Sequence, residues 1–319
     1  MNLEEEFAQH RAGLVAHCYR LLGSLHDAED AVQDTYLRAW RGQAGFEQRS
    51  SVKTWLYRIA TNVCLTLLQH SSRRVVPSAL GAPGNDPDDL HPQALEVTWL
   101  EPFPDHLLGT DPATVVGDRQ SLRLALVAAM QHLPPRQRAV LILREVLTWP
   151  AAEVATLLDT TTAAVNSSLQ RARAELARLR PAEEDLSEPD EPVRRHLLDQ
   201  FSTAFESKDL AALEGLLTAD TRWEMPPIPT WFSGRADVLR LLDAKLGSGP
   251  DRRVLVETSA NGQPAFALYN RGKDEQYHAH SIKVLTLTKA GIAAVLAFHQ
   301  PALFPAFGLP ISRRSKETP

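Results

Sequence analysis

Cysteine is nearly absent from this chain: Cys18 and Cys64 are the only two among 319 residues. Each sits in an apolar helical pattern, so neither a disulfide framework nor a metal cluster is expected, and no cofactor or metal is implied. No run approaches eighteen apolar residues, which argues against a membrane-spanning helix. The opening MNLEEEFAQHRAGL is acidic and amphipathic, unlike a signal peptide. A soluble cytoplasmic protein with two reduced core thiols is therefore expected. Positive charge is not in excess either, since the net charge is -5 and the pI about 6.1. The molecule as a whole is not built to coat nucleic acid, and any DNA binding has to be local. Lys and Arg are missing altogether from Val75 to Asp111, where Pro77, Pro83, Pro87, Pro92, Pro102 and Pro104 punctuate an acidic stretch. That composition reads as a linker, not a domain.

What is present is a chain long enough for two or three domains, with its charges sorted along its length. Seven acidic side chains face only Arg11 and Arg20 from Met1 to Asp34, whereas seven basic ones face only Glu47 from Thr35 to Arg74. Leu3 to Leu22 reads as a helix ended by Gly23, with Leu14, Val15, Cys18, Leu21 and Leu22 on one stripe. In the next helix Ala28, Ala31, Val32, Thr35, Tyr36, Ala39 and Trp40 recur at helical spacing. Asp27, Glu29, Asp30, Gln33 and Asp34 are left on or beside its exposed face, a surface suited to a basic protein partner. Further on, Phe46, Trp55 and Tyr57 are interleaved with Arg49, Lys53 and Arg58. This composition fits a surface that stacks bases and holds phosphates. It fits equally a set of core aromatics beneath a solvated basic face.

A second helical block begins near Pro112, with Leu122, Ala125, Leu126, Ala129, Met130 and Leu133 on its apolar face. The motif LPPRQR restarts a helix on Pro134 and Pro135, continued by Val140, Leu141, Leu143 and Val146. WPAAEVATLLDTTTAAVNSSLQRARAEL then has the spacing of a helix-turn-helix. Ala155 is small at the crossing, Val154 and Leu158 face inward, and Val165 and Leu169 anchor the second helix. Asp159 stands at the turn position where Gly is usual, and Asp tolerates the left-handed conformation better than most residues. Thr161, Thr162, Asn166, Ser167, Gln170, Arg171 and Arg173 are free to point outward, short polar groups toward base edges and arginines toward phosphates.

DAEDAVQDTYLRAW, followed by Phe46 and TWLYRIATNVCL, resembles region 2 of the bacterial sigma-70 family, of the extracytoplasmic-function (ECF) type. LPPRQRAVLILREV with the helix-turn-helix resembles region 4 of the same family. The resemblance implies that Asp27, Glu29, Asp30, Gln33 and Asp34 dock on the beta-prime clamp helices of core RNA polymerase. Phe46, Arg49, Lys53, Trp55, Arg58 and Asn62 are implied to lie near the melted minus-ten strand of promoter DNA. Residues 161 to 173 are implied to read the minus-thirty-five element, with region 4 resting on the beta flap. The family threads its linker through the RNA exit path, where Asp86, Asp88, Asp89, Glu96, Glu101, Asp105 and Asp111 would mimic RNA. A generic acidic linker is the alternative.

After the acidic run PAEEDLSEPDEP the pattern turns from helical to mixed. Helices are expected at Val193–Phe205 and Asp209–Leu217 and in GRADVLRLLDAKL. Strands are expected at Thr221–Met225, Arg253–Thr258, Ala265–Asn270, His280–Thr288 and Ile292–Phe298. This order resembles the SnoaL-like cone, a curved antiparallel sheet wrapped by helices around a pocket, which implies Trp223, Trp231, His278 and His280 as pocket residues, with His299 nearby. No Asp–His pairing is compelled by the spacing, and a shared cone does not transmit catalysis. No enzyme activity is expected. Phe304, Phe307 and Leu309 in the tail either pack back on the cone or contact the sigma halves.

The expected organisation is multidomain. All-α region 2 (1–74) is followed by a linker (75–111), region 4 (112–180), a second acidic linker (181–192) and an α+β SnoaL-like domain with its tail (193–319). The expected function is promoter recognition and opening with core RNA polymerase, regulated in cis by the cone. The rival is a one-component DNA-binding regulator whose cone senses or modifies a small molecule. Any anti-sigma partner and any cone ligand stay open.

Overall fold

The computed structural model describes residues 2–46, 51–70, 72–94, 96–108, 120–179, 189–247, 249 and 251–314. Two compact units are formed, one from Met1–Arg74 with Leu100–Pro181, the other from Val75–Trp99 with Ala182–Pro319. The stretch expected to be one linker is therefore divided between them.

In the first unit, α1 spans Leu3–Leu22 and buries Leu14, Val15, Cys18, Leu21 and Leu22. Glu4, Glu5 and Glu6 in its first turn complement the positive end of the helix dipole. Gly23, at φ 73°, closes the helix through its N–H to Tyr19 O at 2.7 Å. Helix α2, Leu25–Gly42, starts on Ser24, whose Oγ accepts the Asp27 N–H at 3.1 Å. Its core face is Leu25, Ala28, Ala31, Val32, Thr35 and Ala39. Tyr36 and Trp40 depart from the expected inner stripe: Tyr36 lies edge-on to Phe7 at its margin, and Trp40 is 50% exposed. The small Ala28, Ala31 and Ala39 beside Leu25, Val32 and Thr35 make up its buried face, and the large rings lie at the rim. Helix α3, Val52–Leu67, begins with Ser51 Oγ accepting the Thr54 N–H and buries Leu56, Tyr57, Ala60, Val63 and Cys64. Cys18 and Cys64 are buried free thiols, and burial together with a hydrogen bond to Cys18 holds the Cys64 thiol well above its ordinary range.

Residues Leu100–Leu108 pack on these helices. Phe103 is buried 4.9 Å from the Tyr19 ring, and Tyr19 Oη donates to Glu101 O at 2.7 Å. Beyond them α4 spans Leu124–Met130, and Pro112 lies outside the described residues. The buried residues are Leu122, Leu124, Val127, Ala129, Met130 and Leu133, while Ala125 is exposed and Leu126 half-buried. The expected face is shifted because Arg123 is extended, at ψ 134°, and resets the helical phase. Helix α5, Pro135–Leu141, opens on its proline as expected and runs into a wide turn at Ile142–Val146. Arg138 is buried and donates to Leu21 O, to Gln131 Oε1 at 2.6 Å, and to the carbonyls of Gln131 and Leu133. It thereby ties α5 to the end of α1. Burial lowers its pKa to about 10, which leaves it charged at neutral pH. Helices α6, Ala151–Leu157, and α7, Thr162–Leu179, pack on Val154, Ala155, Leu158, Val165 and Leu169. Asp159 adopts φ 50°, the left-handed turn its residue type allows.

In the second unit, α8 (Glu191–Ser207), α9 (Leu210–Leu216) and α10 (Arg235–Lys245) cover a sheet of order β2-β1-β6-β5-β4-β3. The strands are β1 Leu217–Met225, β2 Ile228–Ser233, β3 Arg253–Ala260, β4 Gln263–Arg271, β5 Tyr277–Thr288 and β6 Gly291–Phe298. The sheet is antiparallel except that β1 runs parallel to β6, so it is mixed. Strand β2 was not anticipated, because its six residues are broken by Pro229. The tail packs on the cone: Phe304 is buried 5.0 Å from Tyr269, whose hydroxyl donates to Pro310 O, and β7 (Ser312–Arg313) pairs with β5. Phe307 is buried beside it and Leu309 is half-buried.

Residues 75–99 run along the β2 side of this sheet. Gly84 N–H donates to Trp231 O at 2.7 Å, and Trp231 Nε1 donates back to Gly81 O at 2.9 Å. The N–H groups of Ser78, His91 and Ala94 reach Glu224 Oε2, Thr230 Oγ1 and Pro227 O. A polar, proline-broken chain is held here through its own backbone N–H and C=O groups, which bond to backbone and side-chain groups of β1, β2 and the turn between them.

Candidate functional site

On α2 the five expected polar residues are not equivalent. Asp27 is held by Arg74 at 2.5 Å, and Arg74 also lies 3.8 Å from Glu101. Glu101 in turn accepts the Ser24 hydroxyl and the Leu25 N–H. Asp27 is thus part of an internal network at the start of the helix, and Glu101 is a capping residue of α2. Among the described residues, Glu29, Asp30 and Asp34 pair with the solvent-facing Arg11 at 3.6 Å, His26 at 3.6 Å and Arg38 at 2.8 Å, while Gln33 is exposed. Such exposed pairs are weak enough to exchange for a partner's cations. Beside them Leu37 and Trp40 are each 50% exposed, and Phe7, Val32, Tyr36 and Leu37 line a shallow depression. Leu37 and Trp40, overlooked or counted inward in the sequence, belong to the outer surface, whereas Val32 is buried at the floor of that depression.

On and before α3, Lys53, Arg58 and Asn62 are exposed, and Phe46 stacks on Trp55 at 4.5 Å with ring planes 22° apart. Arg49 lies outside the described residues. Tyr57, the third aromatic of the cluster, is instead buried 6.0 Å from Trp149. The sequence alternatives thus divide: Tyr57 is core, whereas Phe46 and Trp55 form a stacked pair near exposed cations.

On α7, Thr162, Asn166, Gln170, Arg171 and Arg173 are exposed and Ser167 half-exposed. Thr161 is exposed, and its hydroxyl accepts the Ala164 N–H, so it caps the helix. Arg171 folds over Ser167 at 2.7 Å, and Arg173 pairs with Glu145.

The cone encloses a cavity of about 370 Å³, whose wall includes Trp223, His280 and His299. Trp231 and His278 lie elsewhere: Trp231 is bound to Gly81, and His278 is exposed and pairs with Asp274 at 3.0 Å. Both sit near the sheet's margins, where alternation no longer selects the inner face. The sequence passed over Lys283 and Arg253, which also line the cavity and are 3% exposed. His280 is the extra residue of a bulge, since Leu268 pairs with Ser281 and Tyr269 with Ala279. The phase shift lets His280 and Lys283, of opposite parity, line the same cavity. Burial lowers the pKa values of Lys283 to about 7, His280 to about 4 and His299 to about 2, with neighbouring cations adding to each shift. Both imidazoles are neutral at physiological pH.

The described elements are thus an all-helical unit containing a helix-turn-helix and a cone that holds a cavity. Family models match as Sigma-70 region 2 over residues 7–74, Sigma-70 region 4 over 123–176 and a SnoaL-like domain over 198–296. The chain is 49% identical to the ECF RNA polymerase sigma factor SigG of Mycobacterium tuberculosis over 306 residues, covering 95% of this chain and 82% of that one. It is 27% identical to SigJ of the same organism over 244 residues, 74% of this chain and 71% of that protein. The crystal structure of SigJ superposes with a TM-score of 0.61 at 23% identity, covering 96% of this chain and 99% of that one. The chain belongs to the ECF sigma factors. It acts with core RNA polymerase to direct promoter recognition in transcription initiation, with a SnoaL-like domain fused behind region 4. Promoter recognition with polymerase replaces the one-component regulator. Among the described residues no helix is long and apolar enough to cross a membrane.

Proposed function

We propose that region 2 (1–74), region 4 (112–180) and the cone (193–319) divide the work of initiation, with the cone acting in cis through residues 75–99 and having no enzymatic role of its own. The chain works in the cytoplasm, where the polymerase is. Glu29, Asp30, Gln33 and Asp34, joined by Leu37 and Trp40, meet the clamp helices, and Asp27 orients the start of α2. Lys53, Arg58 and Asn62 hold the minus-ten strand beside the Phe46–Trp55 stack, with Arg49 adding charge. Thr162, Asn166, Ser167 and Gln170 face minus-thirty-five base edges, Arg171 and Arg173 hold phosphates, and Thr161 positions the helix start.

The observation that carries cis control is the hydrogen bonding of residues 78–94 to β1, β2 and the turn between them. The same covalent segment joins region 2 to region 4, so whatever fixes it on the cone limits the arrangements open to the two promoter-reading modules. Charge reversal at Asp30 and Asp34 tests the docking face: run-off transcription with core polymerase should fall while the helical content stays intact. Unchanged transcription would remove these residues from the interface.

A further inference from the structure

The cavity of the cone is electrically one-sided. Its wall carries Lys245, Arg252, Arg253, Arg271, Lys283, His280 and His299, and among the described lining residues there is no Asp or Glu. Three of the cations have partners elsewhere. Lys245 lies 3.3 Å from Asp88, Arg271 lies 3.9 Å from Glu275, and Arg253 donates to the carbonyls of Phe205, Glu206 and Gly247.

Lys283 differs. It is 3% exposed, and among the described residues its Nζ has no hydrogen-bond or carboxylate partner. What it has are the faces of Phe205 and Trp223, with Nζ 5.1 and 5.4 Å from the ring centroids. Those two rings lie parallel, 4° apart, and the apolar wall continues through Met225, Ile228, Leu241 and Leu268. A buried ammonium costs several kcal/mol unless it is paired, and aromatic faces offset only part of that. A fold that keeps such a group in the wall of a cavity beside apolar side chains has a place for an anion.

We propose that the cone cavity binds a small organic monocarboxylate with an apolar body, its carboxylate on Lys283 and its body against Trp223, Phe205 and Leu268. A carboxylate suits the site better than a phosphate ester. Lys283 is the one buried ammonium in the wall, able to neutralise one charge; Arg252 is exposed, and both Nη groups of Arg253 already donate to backbone carbonyls. The neutral imidazoles of His280 and His299, 4.8 Å apart, can each donate one N–H to the second carboxylate oxygen without adding charge. The volume is within the range of small-molecule pockets. Leu90, from the segment joining regions 2 and 4, also lines this cavity, so an occupant would touch the segment on which cis control rests. The binding itself does not depend on that control.

Calorimetric titration of the full chain with octanoate and 2-naphthoate, against octanamide and 2-naphthamide, tests the site without polymerase. At pH 6.5 at least one carboxylate should bind about tenfold to a hundredfold more tightly than its amide, the range expected for a charge-assisted hydrogen bond. Lys283→Met should abolish that preference while retaining a cooperative thermal transition, and Lys283→Gln provides a second variant of similar reach. Equal binding of acid and amide, a preference that survives both substitutions, or no binding of any of the four probes would overturn the proposal.

Discussion

Gly84 N–H donates to the carbonyl of Trp231 at 2.7 Å, and a β-carbon on Gly84 would stand 2.9 Å from Thr230 Cγ2. A side chain there would force Thr230 or the segment to shift, although Gly84 lies in a proline-punctuated stretch that on composition alone would be free. Gly84→Val should loosen residues 75–99 from β2 at a cost of about 1–3 kcal/mol, the usual range for overpacking. Limited proteolysis should then cut within 75–99 faster than in the wild type, with the cone fragment still resistant. An unchanged cleavage rate would mean that the segment is held by other contacts.

Glu101→Ala removes the acceptor for both the Ser24 hydroxyl and the Leu25 N–H, and it leaves Arg74 with Asp27. Loss of a helix-start acceptor costs about 0.5–2 kcal/mol. The denaturant midpoint of the helical unit should drop accordingly, with the transition of the cone unmoved.

Lys283 gives the cone a pH signature. Its folded pKa, about 7, lies below the ordinary lysine value of 10.5, so between these limits the unfolded chain binds more protons than the folded one. Stability from this group therefore rises as pH climbs from 7 to 10.5 and is lost as pH falls through 7. Lys283→Met should be more stable than wild type near neutral pH by on the order of a few kcal/mol, and the gap should close by pH 10.5. Melting curves of both proteins across that window check it. Parallel curves would show that Lys283 is not desolvated in solution.

Arg171→Ala and Asn166→Ala should separate phosphate holding from base reading. In holoenzyme binding to promoter DNA, the arginine change should weaken all sequences alike and lower the salt slope by about 1. The asparagine change should cost roughly 1–3 kcal/mol at one position of the minus-thirty-five element only. A binding titration over salt and over a set of single-base variants distinguishes the two.

Legibility in the sequence followed the regularity of the backbone. α1, α2 and α7 are long and periodic, and Gly23 after α1 and Asp159 in the turn before α7 are chemically specific, so the end of α1 and the turn of the helix-turn-helix were readable. Phase was lost wherever one residue broke the period. Arg123 moved the buried face of α4, and the bulge at His280 hid the fact that Lys283 shares a cavity with it. Trp40 shows a different limit, because helical spacing places a ring on a stripe without saying whether a neighbour reaches that far. The docking of residues 75–99 runs mainly through backbone N–H and C=O groups, which leave little trace in side-chain chemistry.

Run-off transcription with core polymerase most directly tests cis control, comparing the full chain, a chain ending at Arg180 and the full chain with Gly84→Val. If the segment on β2 is the link between cone and promoter reading, truncation and Gly84→Val should shift initiation in the same direction and by similar factors. Wild-type initiation from both altered chains would contradict control by the cone.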